Sequence, residues 1–255
     1  MFRFVDKVVI VTGAGSGMGA ATAQRFGAEG AFVVLVGRTR SKLDHIAALL
    51  PEDKTLVVPA DVSDWEAVQD VIKQSVEKFG RIDVLVNNAG VAPMGPLTET
   101  PIEDWHQVIS IDVNGVFYAT RAAMPHLLES KGSVINVSSV SGLGGDWGMS
   151  FYNAAKGAVS NFTRSLALEY GRQGVRVNAV CPSLTWSDLT ADMKDNEALM
   201  AKFEERIPMG RAAEPQEVAD VIAFLASNDA RFVNGVNLPV DGGLSASNGQ
   251  PPVGI

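Results

Sequence analysis

Short runs of β-branched and other apolar residues recur along the chain, separated by longer stretches of helical length. Val8–Val11, Ala31–Val36, Thr55–Val58, Ile82–Val86, Ser133–Val137 and Val175–Val180 predict six buried strands, and Val233–Leu238 a seventh. These runs are apolar at successive positions rather than alternate ones, as expected of parallel strands covered on both faces. The intervening stretches carry helix starts. Ser63-Asp64-Trp65-Glu66 has capping-box spacing, and Thr100-Pro101-Ile102-Glu103 has it with proline at the first helical position. Pro215 opens a helix over Gln216–Ser227 in the same way. Strands alternating with helices imply right-handed crossovers. The expected fold is α/β: a doubly wound, mainly parallel seven-stranded sheet with helices on both faces. No repeat, low-complexity tract or linker interrupts it before Gly242–Ile255. One domain over residues 1–255 is expected, with 244–255 as a C-terminal tail.

Composition narrows the function classes. The 255 residues carry a formal charge of −8, which disfavours nucleic acid or an anionic membrane as a partner. The apolar runs fall far short of the ~18 residues of a membrane span. Cys181 is the single cysteine, and His45, His106 and His126 are scattered, so neither a disulfide nor a His/Cys metal site is expected. Met1–Lys7 leads straight into the first strand with no cleavable signal, and a cytoplasmic location is the expectation.

The first strand runs into Thr12-Gly13-Ala14-Gly15-Ser16-Gly17-Met18-Gly19, and a helix is predicted from about Met18 to Glu29. Glycines permit the sharp turn and let backbone N–H groups approach a pyrophosphate, which then faces a positive helix N-terminus. Alone, such a turn is also compatible with a merely tight strand–helix connection. Its place at the head of an alternating α/β chain favours a nucleotide. The second strand ends in Gly37-Arg38-Thr39-Arg40, with no acid before Asp44. An acid at this point accepts a ribose 2′-OH, whereas an arginine accommodates a 2′-phosphate. Arg38 therefore points to NADP(H), with NAD(H) as the alternative. Arg38 as a solvated helix-start residue is the rival explanation, and Ser16 stands where a second base would have strengthened the phosphate reading.

Tyr152 and Lys156 are four residues apart and share a face if helical. A phenol has a reference pKa of ~10, and a nearby ammonium favours its phenolate, so the pair can exchange a proton with a carbonyl or alcohol oxygen. The strand Ser133–Val137 ends at Ser138 and Ser139, and Ser139 lies thirteen residues before Tyr152. Ligands gather at the carboxyl ends of parallel strands, so this loop can bring the hydroxyl beside the phenol.

Taken together these residues resemble the short-chain dehydrogenase/reductase family, in its compact single-domain branch, and imply a Rossmann-like fold. Thr12-Gly13-x-x-x-Gly17-x-Gly19 is similar to the family's cofactor turn, Asp61-Val62 to its adenine-contacting pair, and Asn87-Asn88-Ala89-Gly90 to its central-strand motif. The resemblance makes Asn114, Ser139, Tyr152 and Lys156 the catalytic set, with Asn114 holding a water that links Lys156 to solvent. It makes Gly13, Ser16, Gly17, Met18, Gly19, Arg38, Asp61, Val62, Asn88, Ala89, Gly90, Tyr152, Lys156, Pro182, Thr185 and Ser187 the cofactor contacts. Pro182-Ser183 departs from the family's Pro-Gly. A narrower likeness, in Ser139–Gly148, Val180–Leu184 and Ala246–Pro251, is to the acetoin reductase/2,3-butanediol dehydrogenase subgroup. Gly37-Arg38 departs from that subgroup, which carries an acid there.

The implied activity is hydride transfer between NADP(H) and a ketone or secondary alcohol, a small vicinal ketone or diol such as acetoin or 2,3-butanediol leading. A 3-oxoacyl or bulky ketone is the alternative. Ser141, Trp147 and Gln250 are candidate substrate contacts, Gln250 through a tail stiffened by Pro251 and Pro252 that either crosses to a partner subunit or is a free terminus. The resemblance also implies a homotetramer. A non-catalytic nucleotide sensor need not keep Ser139, Tyr152 and Lys156 together. A hydrolase lacks the G-x-S-x-G elbow.

Overall fold

A computed structural model describes residues 2–250. Pro251 and Pro252, with their suggested role in the tail, lie outside the described residues. Seven strands form one sheet: β1 (Val8–Thr12), β2 (Phe32–Gly37), β3 (Thr55–Pro59), β4 (Val84–Asn87), β5 (Ser133–Val137), β6 (Arg176–Pro182) and β7 (Asn237–Val240). The order is β3-β2-β1-β4-β5-β6-β7, and every neighbouring pair is parallel. Around them lie α1 (Gly17–Ala28), α2 (Arg40–Ala47), α3 (Trp65–Phe79), α4 (Ile102–Val108), α5 (Gly115–Ser130), α6 (Ser150–Tyr170), α7 (Glu197–Arg206) and α8 (Pro215–Ala226).

Alternation along β1 divides the core. Val9 and Val11 pack with Ala23 and Phe26 of α1 and with Val218 and Ile222 of α8. Val8 and Ile10 pack on the other face with Val71 and Ile72 of α3, Ala123 and Leu127 of α5, and Leu166 of α6. All five β1 residues are buried, which is why the strand reads as a continuous apolar run. The chain order reverses between β1 and β4, and the carboxyl ends of those strands open the crevice that such a switch point creates.

Three local expectations are corrected. The seventh strand is Asn237–Val240 rather than Val233–Leu238. Side-chain amides replace ladder bonds before it: the Val177 amide donates to Asn234 Oδ1 and the Val236 amide to Asn178 Oδ1, while Gly235 is left-handed at φ 79°. The helix after β3 is capped by Asp64, whose carboxylate accepts the Glu66 and Ala67 amides. Ser63 instead donates its amide and hydroxyl to Asp61. Pro101 occupies the N-cap of α4 rather than its first helical position, and the Thr100 hydroxyl turns back to the Pro96 carbonyl, 2.9 Å away. At Pro215 the expectation holds, with Glu214 and Glu217 completing a capping box.

Candidate active site

The glycine turn is built by close approach. Gly13 and Gly17 have φ of 65° and 52°, a region side chains rarely enter. A Cβ on Gly19 would lie 2.1 Å from the Gly13 carbonyl oxygen, so only glycine lets α1 start this close to the turn. Thr12 and Asn88 lock the turn to the end of β4. The Thr12 hydroxyl accepts the Asn88 and Ala89 amides at 2.9 and 3.1 Å, and Asn88 Nδ2 donates to the Thr12 and Gly13 carbonyls at 2.9 and 3.2 Å.

A cleft of about 330 Å³ opens here, within the size range of small-molecule sites. It brings together Gly13, Ser16, Gly17, Met18, Arg38, Asp61, Val62, Asn88, Ala89, Gly90 and Ser187 from opposite parts of the sequence. Gly19, Tyr152, Lys156, Pro182 and Thr185 lie outside that lining. Burial pushes the Asp61 carboxyl up, but the Ser63 hydroxyl and amide and the Arg38 charge together hold it below the usual range. Among the described residues Arg38 forms no ion pair. A cleft that gathers a glycine turn, a helix N-terminus and a guanidinium without an ion pair fits a dinucleotide.

The catalytic candidates sit at the end of β5. Ser139 is buried, and its Oγ donates to Ser141 Oγ at 3.1 Å and to the Pro182 carbonyl at 3.4 Å. The Ser141 hydroxyl donates in turn to Asp146. On α6, Lys156 lies one turn beyond Tyr152, with its Nζ 5.4 Å from the phenol ring centroid. Lys156 Nζ donates to the Val137 carbonyl at 3.1 Å, and the Ser138 hydroxyl donates to the Lys156 carbonyl at 3.1 Å. These bonds fasten α6 to the strand end that carries Ser139. Asn114 closes a wide, π-type turn (Ile109–Asn114) between α4 and α5, and is half-buried.

Ser183 lacks the positive φ a glycine there would permit. Thr185 is buried and donates to the Ser183 carbonyl, while the Ser187 amide donates to Thr190. Trp147 is 89% exposed. Gln250 is exposed too, its amide donating to Asn248 Oδ1 at 3.1 Å.

Three groups escaped the sequence reading. Asp112 pairs with Lys156, Oδ2 to Nζ at 3.0 Å. Asn153 clamps the loop after Ser139, its Nδ2 donating to the Ser141 and Gly144 carbonyls at 2.8 and 2.9 Å. Lys42 and Asp188 face each other across the cleft mouth. Of these only Asp112 had a sequence signal: an acid between Ile111 and Val113.

Comparison with known proteins agrees with this geometry. A family described as enoyl-(acyl carrier protein) reductase matches residues 13–245. The chain is 53% identical to meso-2,3-butanediol dehydrogenase of Serratia marcescens over 251 residues, covering 98% of this chain and 99% of that one. It superposes on the crystal structure of levodione reductase with a TM-score of 0.91 at 39% identity, over 96% of this chain and 100% of that one. A gluconate 5-dehydrogenase from Burkholderia cenocepacia, solved with NADP and tartrate, gives a TM-score of 0.92 at 30% identity over 96% and 98%. No helix among the described residues is long and apolar enough to cross a membrane. With its parallel sheet, its glycine-lined cleft and relatives of named dehydrogenase activity across nearly its whole length, the chain belongs to the short-chain dehydrogenase/reductase family of oxidoreductases.

Proposed function

We propose that the protein is a carbonyl reductase, reversible as an alcohol dehydrogenase, that prefers NADP(H) to NAD(H) and acts on small vicinal ketones and diols of the acetoin/2,3-butanediol kind. The carrying observation is Lys156, which joins Tyr152 on α6 to the end of β5 where Ser139 stands, beside the glycine-lined cleft. The 53% identity to a butanediol dehydrogenase supports the substrate class, and the uncommitted Arg38 supports NADP(H).

The hydride for the ketone carbon would come from a nicotinamide held in this cleft. Tyr152 donates the proton to the developing alkoxide. Ser139 turns its hydroxyl from Ser141 to the same oxygen and fixes its direction. Lys156 favours release of the phenolic proton and binds the ribose hydroxyls. Asn114 holds a water that connects Lys156 to solvent. The glycine turn with Ser16 and Met18 takes the pyrophosphate, Asp61 and Val62 the adenine side, Arg38 the 2′-phosphate, and Thr185 and Ser187 the nicotinamide carboxamide. Ser141, Trp147 and Gln250 meet the substrate. One domain serves both ligands, working as a cytoplasmic homotetramer. Exposed Phe117 on α5 and Leu168 on α6 support a subunit interface along those helices.

The test is a purified sample given NADPH or NADH with acetoin, diacetyl, bulky ketones and a 3-oxoacyl thioester, followed by nicotinamide absorbance. Highest kcat/KM with NADPH and the small vicinal ketones is expected. A preference for the thioester or for bulky ketones would overturn the substrate class.

A further inference from the structure

Asp112 has no part in the scheme above, yet its side chain is fully buried against Lys156. A buried carboxylate is costly unless it is paired and hydrogen-bonded. Its Oδ1 accepts the Val91 amide at 2.9 Å, just after the central-strand motif. Its Oδ2 takes no directed hydrogen bond but lies 3.0 Å from Lys156 Nζ, a contact of charges. The space around them is closed, since a Cβ on Gly90 would lie 2.7 Å from Asp112 Oδ2 and 3.4 Å from Lys156 Nζ. The wide turn Ile109–Asn114 carries Asp112 to this point.

The titratable groups facing Lys156 are Asp112 from that turn, Tyr152 on its own helix and Cys181 on β6. Burial pushes the Cys181 thiol up to about 11, so it is uncharged near neutrality. Asp112 is therefore the anion that faces the ammonium among the described residues. Burial works against a charged Lys156, but Asp112 first and Tyr152 second outweigh it, and the lysine is held above its ordinary value.

We infer that Asp112 is a positioning residue for proton transfer, its carboxylate holding Lys156 charged and aimed at Tyr152 before any ligand arrives. This rests on the proposed roles of Tyr152 and Lys156. Asp112→Asn tests it, because the amide keeps the shape and an acceptor for Val91 while removing the charge. The direct readout is nitrogen NMR of the lysine side chains without dinucleotide, with Lys156→Arg identifying the signal. In the wild type, Lys156 stays an ammonium beyond the ordinary lysine value of 10.5. In Asp112→Asn its half-titration falls by about one pH unit or more, the usual effect of losing an adjacent opposite charge. The alkaline limb of ketone turnover falls with it, while KM for the ketone stays within about twofold, because substrate does not touch this carboxylate. An unmoved lysine titration with kcat reduced equally at every pH would make Asp112 merely structural and overturn the inference. Should the variant not fold, the wild-type titration decides: a neutral amine below 10.5 overturns it, and an ammonium beyond supports it. Tyr152→Phe with full turnover would instead defeat the role given to Tyr152, leaving the lysine titration to judge Asp112.

Discussion

Lys42 on α2 and Asp188, beyond β6, meet at 2.6 Å, Nζ to Oδ2, across the mouth of the cofactor cleft. The Lys42 hydrogen bond holds the Asp188 carboxyl below the usual range. Lys42 lines the same cleft as Arg38, so in this arrangement Asp188 occupies a cation that a 2′-phosphate could use. We predict that Asp188→Asn raises the affinity for 2′,5′-ADP severalfold at low salt. Both side chains are more than half exposed, so the gain should fade as ionic strength screens it. Calorimetric titration at two salt concentrations checks this, and unchanged or weaker binding contradicts it.

The proton donor gives a sharper test. Tyr152→Phe removes one hydroxyl from a ring whose packing stays in place. Dinucleotide binding should persist while kcat for ketone reduction falls by ~10²–10⁴-fold, the usual worth of general acid catalysis. Tyr152 is not the acid if kcat stays within a few-fold of wild type.

Cofactor choice turns on the end of β2. A Cβ on Gly37 would lie 3.3 Å from Leu43 Cδ2, so a side chain there needs the tip of the buried leucine to give by only a few tenths of an ångström. Gly37→Asp combined with Arg38→Leu should therefore fold and reverse the preference from NADPH to NADH. A charge-assisted hydrogen bond is worth about 1.5–3 kcal/mol, on the order of tenfold or more in kcat/KM. Equal use of both cofactors by wild type and variant would sink the assignment of Arg38.

Gly19 leaves no such room. With 2.1 Å between its Cβ position and the Gly13 oxygen, Gly19→Ala must displace α1 or the turn, and overpacking of this kind costs about 1–3 kcal/mol or more. A lower melting temperature is expected, together with loss of the shift that dinucleotide gives the wild type. Wild-type melting with the ligand shift intact would show that the turn relaxes freely.

The strands were legible because a sheet covered on both faces demands uninterrupted apolar runs, and β1 and β5 are buried at every position. β7 was misplaced because Val233, Val236 and Leu238 look like strand, whereas Asn178 and Asn234, more than fifty residues apart, take the hydrogen bonds. The Ser63 cap failed for a related reason: Ser63 and Asp64 are both good caps, and only the position of Asp61 decides between them. Gly13, Gly17, Ser139, Tyr152 and Lys156 could be named because their residue types and spacings are chemically constrained. Asp112, Asn153 and Lys42 could not, since each acts on a partner that folding alone brings near.

Asn153 follows Tyr152 directly on α6, and its amide grips both ends of the bend from Ser141 to Gly144. The Gly95 amide holds the far side of the same loop through the Gly148 carbonyl at 2.8 Å. Between these two anchors, Gly145, Asp146 and Trp147 are exposed and lie outside the core packing. Asp146 is tied to Ser139 through Ser141, whereas Gly145 and Trp147 stand apart, so under the proposed roles substrate range can be changed at these two positions without touching the proton chemistry. Libraries confined to Gly145 and Trp147 should yield new preferences for ketone size and polarity at little cost in folding, with the reaction itself conserved.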